Sequence, residues 1–140
     1  MHEMKKDQFA IELIVLENEK LEDRLSKVVA FIIGTYGRLD INVLDIEATG
    51  VLGSEFSDRL ENEGLANISK NELFDIFQED GQIIELNLIL MTVDSKFRII
   101  IRDGAHLNVV SNSFSILDKP EIGKYKYFDL MLLNEEDSFK

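Results

Sequence analysis

The chain has 140 residues, of which 45% are hydrophobic and 30% charged, a balance typical of one compact globular domain. Its 27 acidic and 15 basic residues give a formal net charge of −12, which disfavours direct nucleic-acid binding because phosphate backbones are repelled. The absence of cysteine excludes a disulfide framework, a thiolate zinc site and a thiol nucleophile.

Nothing in the sequence indicates a targeting signal or a membrane span. The N-terminal residues MHEMKKDQ are not followed by an apolar stretch long enough for a signal peptide, and the longest apolar run, Val28–Ile33, is too short to cross a bilayer. The glycines are scattered and Pro120 is the single proline, so no linker is visible. We expect one cytoplasmic domain, residues 1–140, with no membrane association.

The first half of the chain predicts one strand and three helices. Phe9–Leu16 is apolar and is expected to be a strand. Apolar residues then recur at three- and four-residue steps from Leu21, which predicts a helix that Gly34 and Gly37 end. A second set at helical spacing predicts a helix over Asp40–Leu60 with Asp40 as its N-cap. Gly50 and Gly53 within that stretch indicate either that something packs close against the helix or that the helix is locally slack.

A capping-box pattern, Ser69 with Glu72 three residues later, predicts a third helix over Lys70–Gln78. A hairpin follows, with strands from Ile83 and from Phe97 joined by the turn Asp94-Ser95-Lys96. Residues 105–123 are rich in Ser, Asn and Gly and predict a loop with one apolar island at Phe114–Leu117.

The C-terminal residues leave two interpretations open, since Tyr125–Leu133 fits a helix or a strand and Ser138–Lys140 could begin a last strand. The expected order is β-α-α-α-β-β-loop-α. This order predicts an α+β two-layer sandwich with helices on one face of a mostly antiparallel sheet.

Arg102-Asp103-Gly104 is the strongest candidate for a binding site. An aspartate at the end of a buried strand, followed by a glycine that bends freely, is a common way to present one carboxylate to a ligand. The competing interpretation is a solvated turn residue. His106 beside it has no evident partner in the sequence.

The element order together with Arg102-Asp103-Gly104 resembles the Bergerat-fold (GHKL) ATP-binding domain, in particular the anti-sigma-factor serine kinases. In that family a hairpin ends in an Asp-x-Gly-x-Gly box whose aspartate reads adenine, and a lid covers the phosphates. The resemblance covers most of the chain and implies a nucleotide site at Asp103 and Gly104, with Glu47 and Ser54 on the facing helix and ATP or ADP as the ligand.

The chain departs from the family at the residues that do chemistry. The glutamate base and the magnesium-binding asparagine four residues later fall on Gly50 and Ser54 when the stretch is aligned without gaps. Using Glu47 as the base places Val51 in the metal position. The second glycine of the Asp103 box is missing, and the lid lacks its Gly-x-Gly turn. The resemblance therefore implies a degenerate member, and we assign no catalytic residue and no metal ligand.

A second motif, Asp45-Ile46-Glu47, is similar to the first motif of DnaQ-like exonucleases, in which two carboxylates on a strand hold metal ions. Asp129 fits the second motif of that family. However, no histidine-containing third motif follows, since His2 and His106 are the histidines of the chain. The helical spacing around Asp45 also favours a helix over the strand that this site needs.

Two functions follow from these observations. The first is a bacterial-type regulatory module with a degenerate Bergerat-like fold, of the anti-sigma or partner-switching kind, that binds a protein partner. The alternative is an acidic inhibitor or immunity-type protein that docks on a basic enzyme through its negative charge. Serine kinase or ATPase activity would require that another group supply the missing metal ligand. The sequence is also compatible with a homodimer.

Overall fold

A computed structural model describes residues 9–127, with residues 114 and 117 described by their backbone alone. In chain order the elements are β1 Phe9–Leu13, α1 Leu21–Tyr36, β2 Asp40–Ala48, α2 Val51–Glu63, α3 Lys70–Gln78, β3 Ile83–Met91, β4 Lys96–Arg102, β5 His106–Ser111, α4 Phe114–Leu117, a 3-10 turn Pro120–Ile122 and β6 Tyr125–Tyr127.

The strands form one six-stranded antiparallel sheet in the order β2-β3-β4-β5-β1-β6. The main core lies between one face of this sheet and the helices, and its largest fully buried side chains include Leu25, Leu73 and Phe97. The predicted α+β two-layer architecture is therefore confirmed. Within residues 9–127, no helix combines the length and the apolarity that a bilayer crossing requires.

The helix expected over Asp40–Leu60 is wrong in its first half. Asp40 starts β2 instead of capping a helix, and α2 begins at Val51. Ile41, Val43 and Ile46 point into the core from a strand whose register shifts between Val43 and Asp45. Because that extra residue breaks the two-residue alternation, the apolar spacing imitates a helix.

The loop expected over residues 105–123 is wrong at His106–Ser111, which forms β5 between β4 and β1. Its residues from Leu107 to Ser111 are buried on both faces of the sheet, so polar Asn108 and Ser111 do not mark a loop. Tyr125–Tyr127 resolves the open choice for those residues as a strand. The rest of Tyr125–Leu133 and the last strand at Ser138 lie outside the described residues.

The other predicted elements are present with small changes in their ends. β1 ends at Leu13 rather than Leu16, and α1 continues through Gly34 to Tyr36. Gly37 then ends α1 with a φ of 74° that favours glycine. The N-cap of α3 at Ser69 is confirmed, because the backbone N–H of Glu72 donates to Ser69 Oγ at 3.1 Å. The Glu72 carboxylate accepts from Arg59 at 2.7 Å.

Asp118 fixes the start of β6 through Tyr125, whose hydroxyl donates to Asp118 Oδ1 at 3.0 Å. Partial burial, together with this hydrogen bond and the negative charge of Asp118, raises the pKa of Tyr125 to about 12. A pKa raised above the ordinary value of 10.0 means that the neutral phenol stabilises the fold fully below that pH. The contribution is lost as the pH rises through about 12.

We expect the substitution Asp118→Asn to lower the pKa of Tyr125 towards its ordinary value, because the negative charge that opposes ionisation is removed. The absorbance of tyrosinate during a pH titration measures this pKa directly, since the chain has three tyrosines and no tryptophan. Tyr125→Phe removes the late-titrating signal itself and so identifies the group. Tyr127 is not a suitable control, because it also contributes to the raised pKa of Tyr125. An unchanged titration curve in Asp118→Asn would contradict the assignment.

Candidate functional site

Asp103 and Gly104 are the two central residues of a tight turn between β4 and β5. Both have positive φ angles, 55° and 65°, and the backbone N–H of Ala105 donates to the carbonyl of Arg102 at 3.1 Å. Two left-handed residues in succession are typical of a type I′ hairpin turn, for which Asp-Gly is a preferred pair. Turn chemistry therefore accounts for this dipeptide, and the Asp103 side chain is exposed.

The neighbouring strand β3 holds this turn in place. The backbone N–H of Asp103 donates to Glu85 Oε2 at 2.7 Å, and the N–H of Gly104 donates to the carbonyl of Ile84 at 2.9 Å. Glu85 in turn lies directly opposite Glu47 of β2. Like charges directly opposite each other repel. With Asp103 beside them, Glu47 and Glu85 place three carboxylates at this end of the sheet.

Glu47 and Asp103 thus lie at the same end of the sheet, on either side of Glu85. Ser54 lies in the first turn of α2, and its hydroxyl donates to the carbonyl of Ala48 at 3.2 Å. Over residues 9–127, no hydrogen bond joins Asp103 to Glu47 or to Ser54. The structure therefore brings the four predicted nucleotide-binding residues to one region, where Ser54 contacts β2 and no hydrogen bond among the described residues joins Asp103 to Glu47 or Ser54.

Asp45 and Glu47 do lie on a strand, contrary to the helix that the spacing suggested. They are two residues apart and both exposed, as the exonuclease-like motif requires of its first pair. Asp129 lies outside the described residues. In the described part of the chain, no group of three or more His, Cys, Asp or Glu side chains is arranged to hold a metal ion.

Glu79 organises the start of α2, a role that no local pattern in the sequence indicates. Its two carboxylate oxygens accept hydrogen bonds from the backbone N–H groups of Leu52 and Gly53, at 2.8 Å and 2.9 Å. A carboxylate at this position satisfies free amides and complements the positive end of the helix dipole. A side chain at Gly50 would occupy the space of the Glu79 carboxylate, so the close packing predicted at Gly50 and Gly53 is confirmed.

His106 has a partner that lies far away in sequence. Its Nδ1 is 3.0 Å from Glu12 Oε2, and Lys126 Nζ is 3.8 Å from the other oxygen of the same carboxylate. This small cluster joins β5, β1 and β6 on the sheet face that bears Asp45 and Glu47. His106 and Lys126 are largely exposed, whereas the Glu12 side chain between them is only 17% exposed, and the cluster ties three strands together.

An open surface depression of ≈ 350 Å³ lies at the other end of β3, away from the Asp103 turn. Its walls are the residues 38–40 before and at the start of β2 and the residues 91–93 at the β3–β4 connection. Arg38 and Asp40 give it charges of both signs. The depression shares no residue with the predicted nucleotide site.

The negative charge of the chain is unevenly distributed. Residues 40–69, which comprise β2, α2 and the segment after it, contain seven acidic residues and one basic residue, Arg59. Their net charge of −6 is half of the −12 of the whole chain. This acidic region, with the Asp103 turn beside it, is the most distinctive chemical feature of the described surface. Comparison with protein-family models, with curated proteins and with solved structures found no match to this chain.

Proposed function

We propose that this protein is a regulatory protein-binding module, with a degenerate Bergerat-like fold, that acts by binding a basic protein partner and not by catalysis. The observation that carries the proposal is the unpaired state of its acidic surface. Among residues 9–127, only Glu12, Glu19 and Glu72 take part in ion pairs with other described residues. Apart from Asp118, which accepts a hydrogen bond from Tyr125, the exposed carboxylates of residues 9–127 outside these ion pairs can meet positive charge on a partner.

Electrostatic complementarity of this kind increases the association rate and the specificity of a complex. The negative charge of the surface fits two versions of the proposal equally well. In one, the chain is a partner-switching regulator of the anti-sigma kind. In the other, it is an acidic inhibitor or immunity-type protein that covers a basic enzyme. Both versions require binding to decrease steeply with salt.

The nucleotide part of the proposal can be tested separately. A ligand that binds only the folded state raises the melting temperature. We expect Mg-ATP and Mg-ADP to leave it unchanged, because Asp103 serves a hairpin turn and the metal position holds Val51. A rise that the substitution Asp103→Asn abolishes would instead assign an adenine site to that carboxylate. The control variant is Gly64→Asn, which also places asparagine at a positive-φ position but lies far from this turn. It shows whether an asparagine in left-handed backbone changes the melting temperature by itself.

The partner class can be tested by selection from a random peptide library displayed on phage. We expect enriched sequences to carry net positive charge and to lose binding at high salt. Enrichment of neutral or acidic sequences would contradict the proposal.

A further inference from the structure

α2 is attached to the domain along one narrow side. Of its thirteen residues only Gly53 and Phe56 are buried. Arg59 is the single basic residue of the helix, and its guanidinium faces inward, donating to Glu72 at 2.7 Å and lying 4.7 Å from the ring centre of Phe56. The outward side of α2 is therefore left without positive charge.

That outward side carries Glu55, Asp58 and Glu61, which we call the acidic ridge. All three are exposed, and none forms an ion pair with a residue in the described part of the chain. Residues three apart lie next to each other on a helix surface, so the three carboxylates form one row. Such a row repels itself until a positively charged partner neutralises it.

Exposed apolar side chains flank the acidic ridge at both ends. Val51 and Leu52 lie at the start of α2, with 69% of Val51 exposed. Leu65 follows the end of the helix and is 58% exposed, and Leu44 lies near it because Val43 N–H donates to the carbonyl of Ala66 at 2.8 Å. A helix of this length spans about 20 Å. The whole surface is therefore about 20 Å long, with the acidic ridge covering about 9 Å of its middle and an apolar contact at each end.

The adjacent edge of the sheet is not suited to pairing with a strand from a partner protein. β2 is the last strand of the described sheet on this side, and residues 66–68 already bond to Ile41 and Val43 along its outer edge. The register shift after Val43 and the exposed charges of Asp45 and Glu47 then interrupt the edge. A partner must therefore bind this region through side chains.

We propose that the acidic ridge and its two apolar ends bind a basic amphipathic helix of a partner protein. Lysine or arginine side chains lie over Glu55, Asp58 and Glu61, and an apolar residue near each end of the partner helix contacts Val51 or Leu65. Helix-on-helix docking with an apolar stripe and complementary charge is a recurrent mode of peptide recognition. This inference rests on the proposed function, since it names the surface and the partner class through which that function works.

The test uses a dye-labelled synthetic peptide of leucine and lysine, about 14 residues long so that its helix spans about 20 Å. On one face of its helix, lysines recur at three- and four-residue steps in the middle and a leucine lies near each end. A control peptide has the same composition in a scrambled order that does not place these residues on one face. Fluorescence anisotropy measures the dissociation constant at low and high salt. We expect the amphipathic peptide to bind the full chain more tightly than the control peptide.

Matched variants locate the binding surface. The triple variant Glu55→Gln, Asp58→Asn, Glu61→Gln should raise the dissociation constant about tenfold and reduce its salt dependence. The control triple variant Glu17→Gln, Asp94→Asn, Glu121→Gln removes the same charge from exposed positions outside α2. It should have an effect smaller than about twofold.

A second pair of matched variants tests the apolar contact. Val51→Ser should weaken binding several-fold, whereas Val93→Ser, at a fully exposed position on the β3–β4 connection, should not. Circular dichroism confirms that each variant is folded. Equal losses in the two triple variants would overturn the surface and leave the proposed function standing. Equal binding of the two peptides would overturn the helical partner, and no binding of either, with no basic enrichment in the library, would overturn the proposed function as well.

Discussion

Replacing Phe56 with alanine should lower the free energy of unfolding by about 3–5 kcal/mol, the range for an aromatic residue removed from a packed core. Phe56 is 1% exposed and belongs to the main core, and it is the only large side chain that α2 buries. The substitution also removes the ring beneath Arg59 and with it the surface that keeps the guanidinium near Glu72. Chemical denaturation measures the loss.

Val51→Ala is the control for Phe56→Ala, because Val51 lies in the same helix but is mostly exposed. We expect it to change the free energy of unfolding by less than about 0.5 kcal/mol. The contrast separates the packing of α2 from its helix propensity. A Phe56→Ala variant that lost less than about 1 kcal/mol would mean that α2 is not held by this side chain.

Gly81→Ala should lower the free energy of unfolding by about 2–4 kcal/mol, because two penalties act at the same position. The φ angle of Gly81 is 137°, which side-chain-bearing residues rarely adopt. In addition, an added Cβ would lie 2.7 Å from the backbone nitrogen of Gly50 and 2.8 Å from its Cα. Backbone atoms cannot rotate away as a flexible side chain can, so the start of α2 would have to move.

Gly34→Ala is the matched substitution with the opposite expected sign. Gly34 lies inside α1, and an added Cβ there would have no atom within 4 Å. We expect it to raise the free energy of unfolding by about 0.5–1 kcal/mol through helix propensity alone. Thermal or chemical denaturation of the two variants under the same conditions gives the comparison. Stabilisation by both substitutions would contradict the close approach of Gly81 to Gly50.

The parts of the fold that were predictable are those that local patterns specify. The helix from Leu21 shows a clear apolar period, and Ser69 is an N-cap signal that needs no distant contact. The prediction for β2 was wrong because one extra residue near Leu44 shifts the apolar period of the strand. The prediction for β5 was wrong because its buried Asn108 and Ser111 resemble loop residues. Each failure comes from tertiary context that a short window does not contain.

The site was less predictable than the fold. Asp103-Gly104 drew attention as a ligand motif, although the same two letters are a strong hairpin signal that would also have revealed β5. Glu79 could not be found, since the amides it accepts from lie 26 and 27 residues earlier in the chain. The acidic surface was visible only as a total charge, because its position required the observed strand at Asp40–Ala48 and the helix after it.

The interrupted outer edge of β2 has a consequence for behaviour in concentrated solution. A regular, uncharged terminal strand would template a second copy of the chain, and repeated addition would produce fibrils. Here the irregular register after Val43 and the carboxylates of Asp45 and Glu47 oppose that growth. The shifted register and these two carboxylates thus protect the molecule from polymerising through this edge.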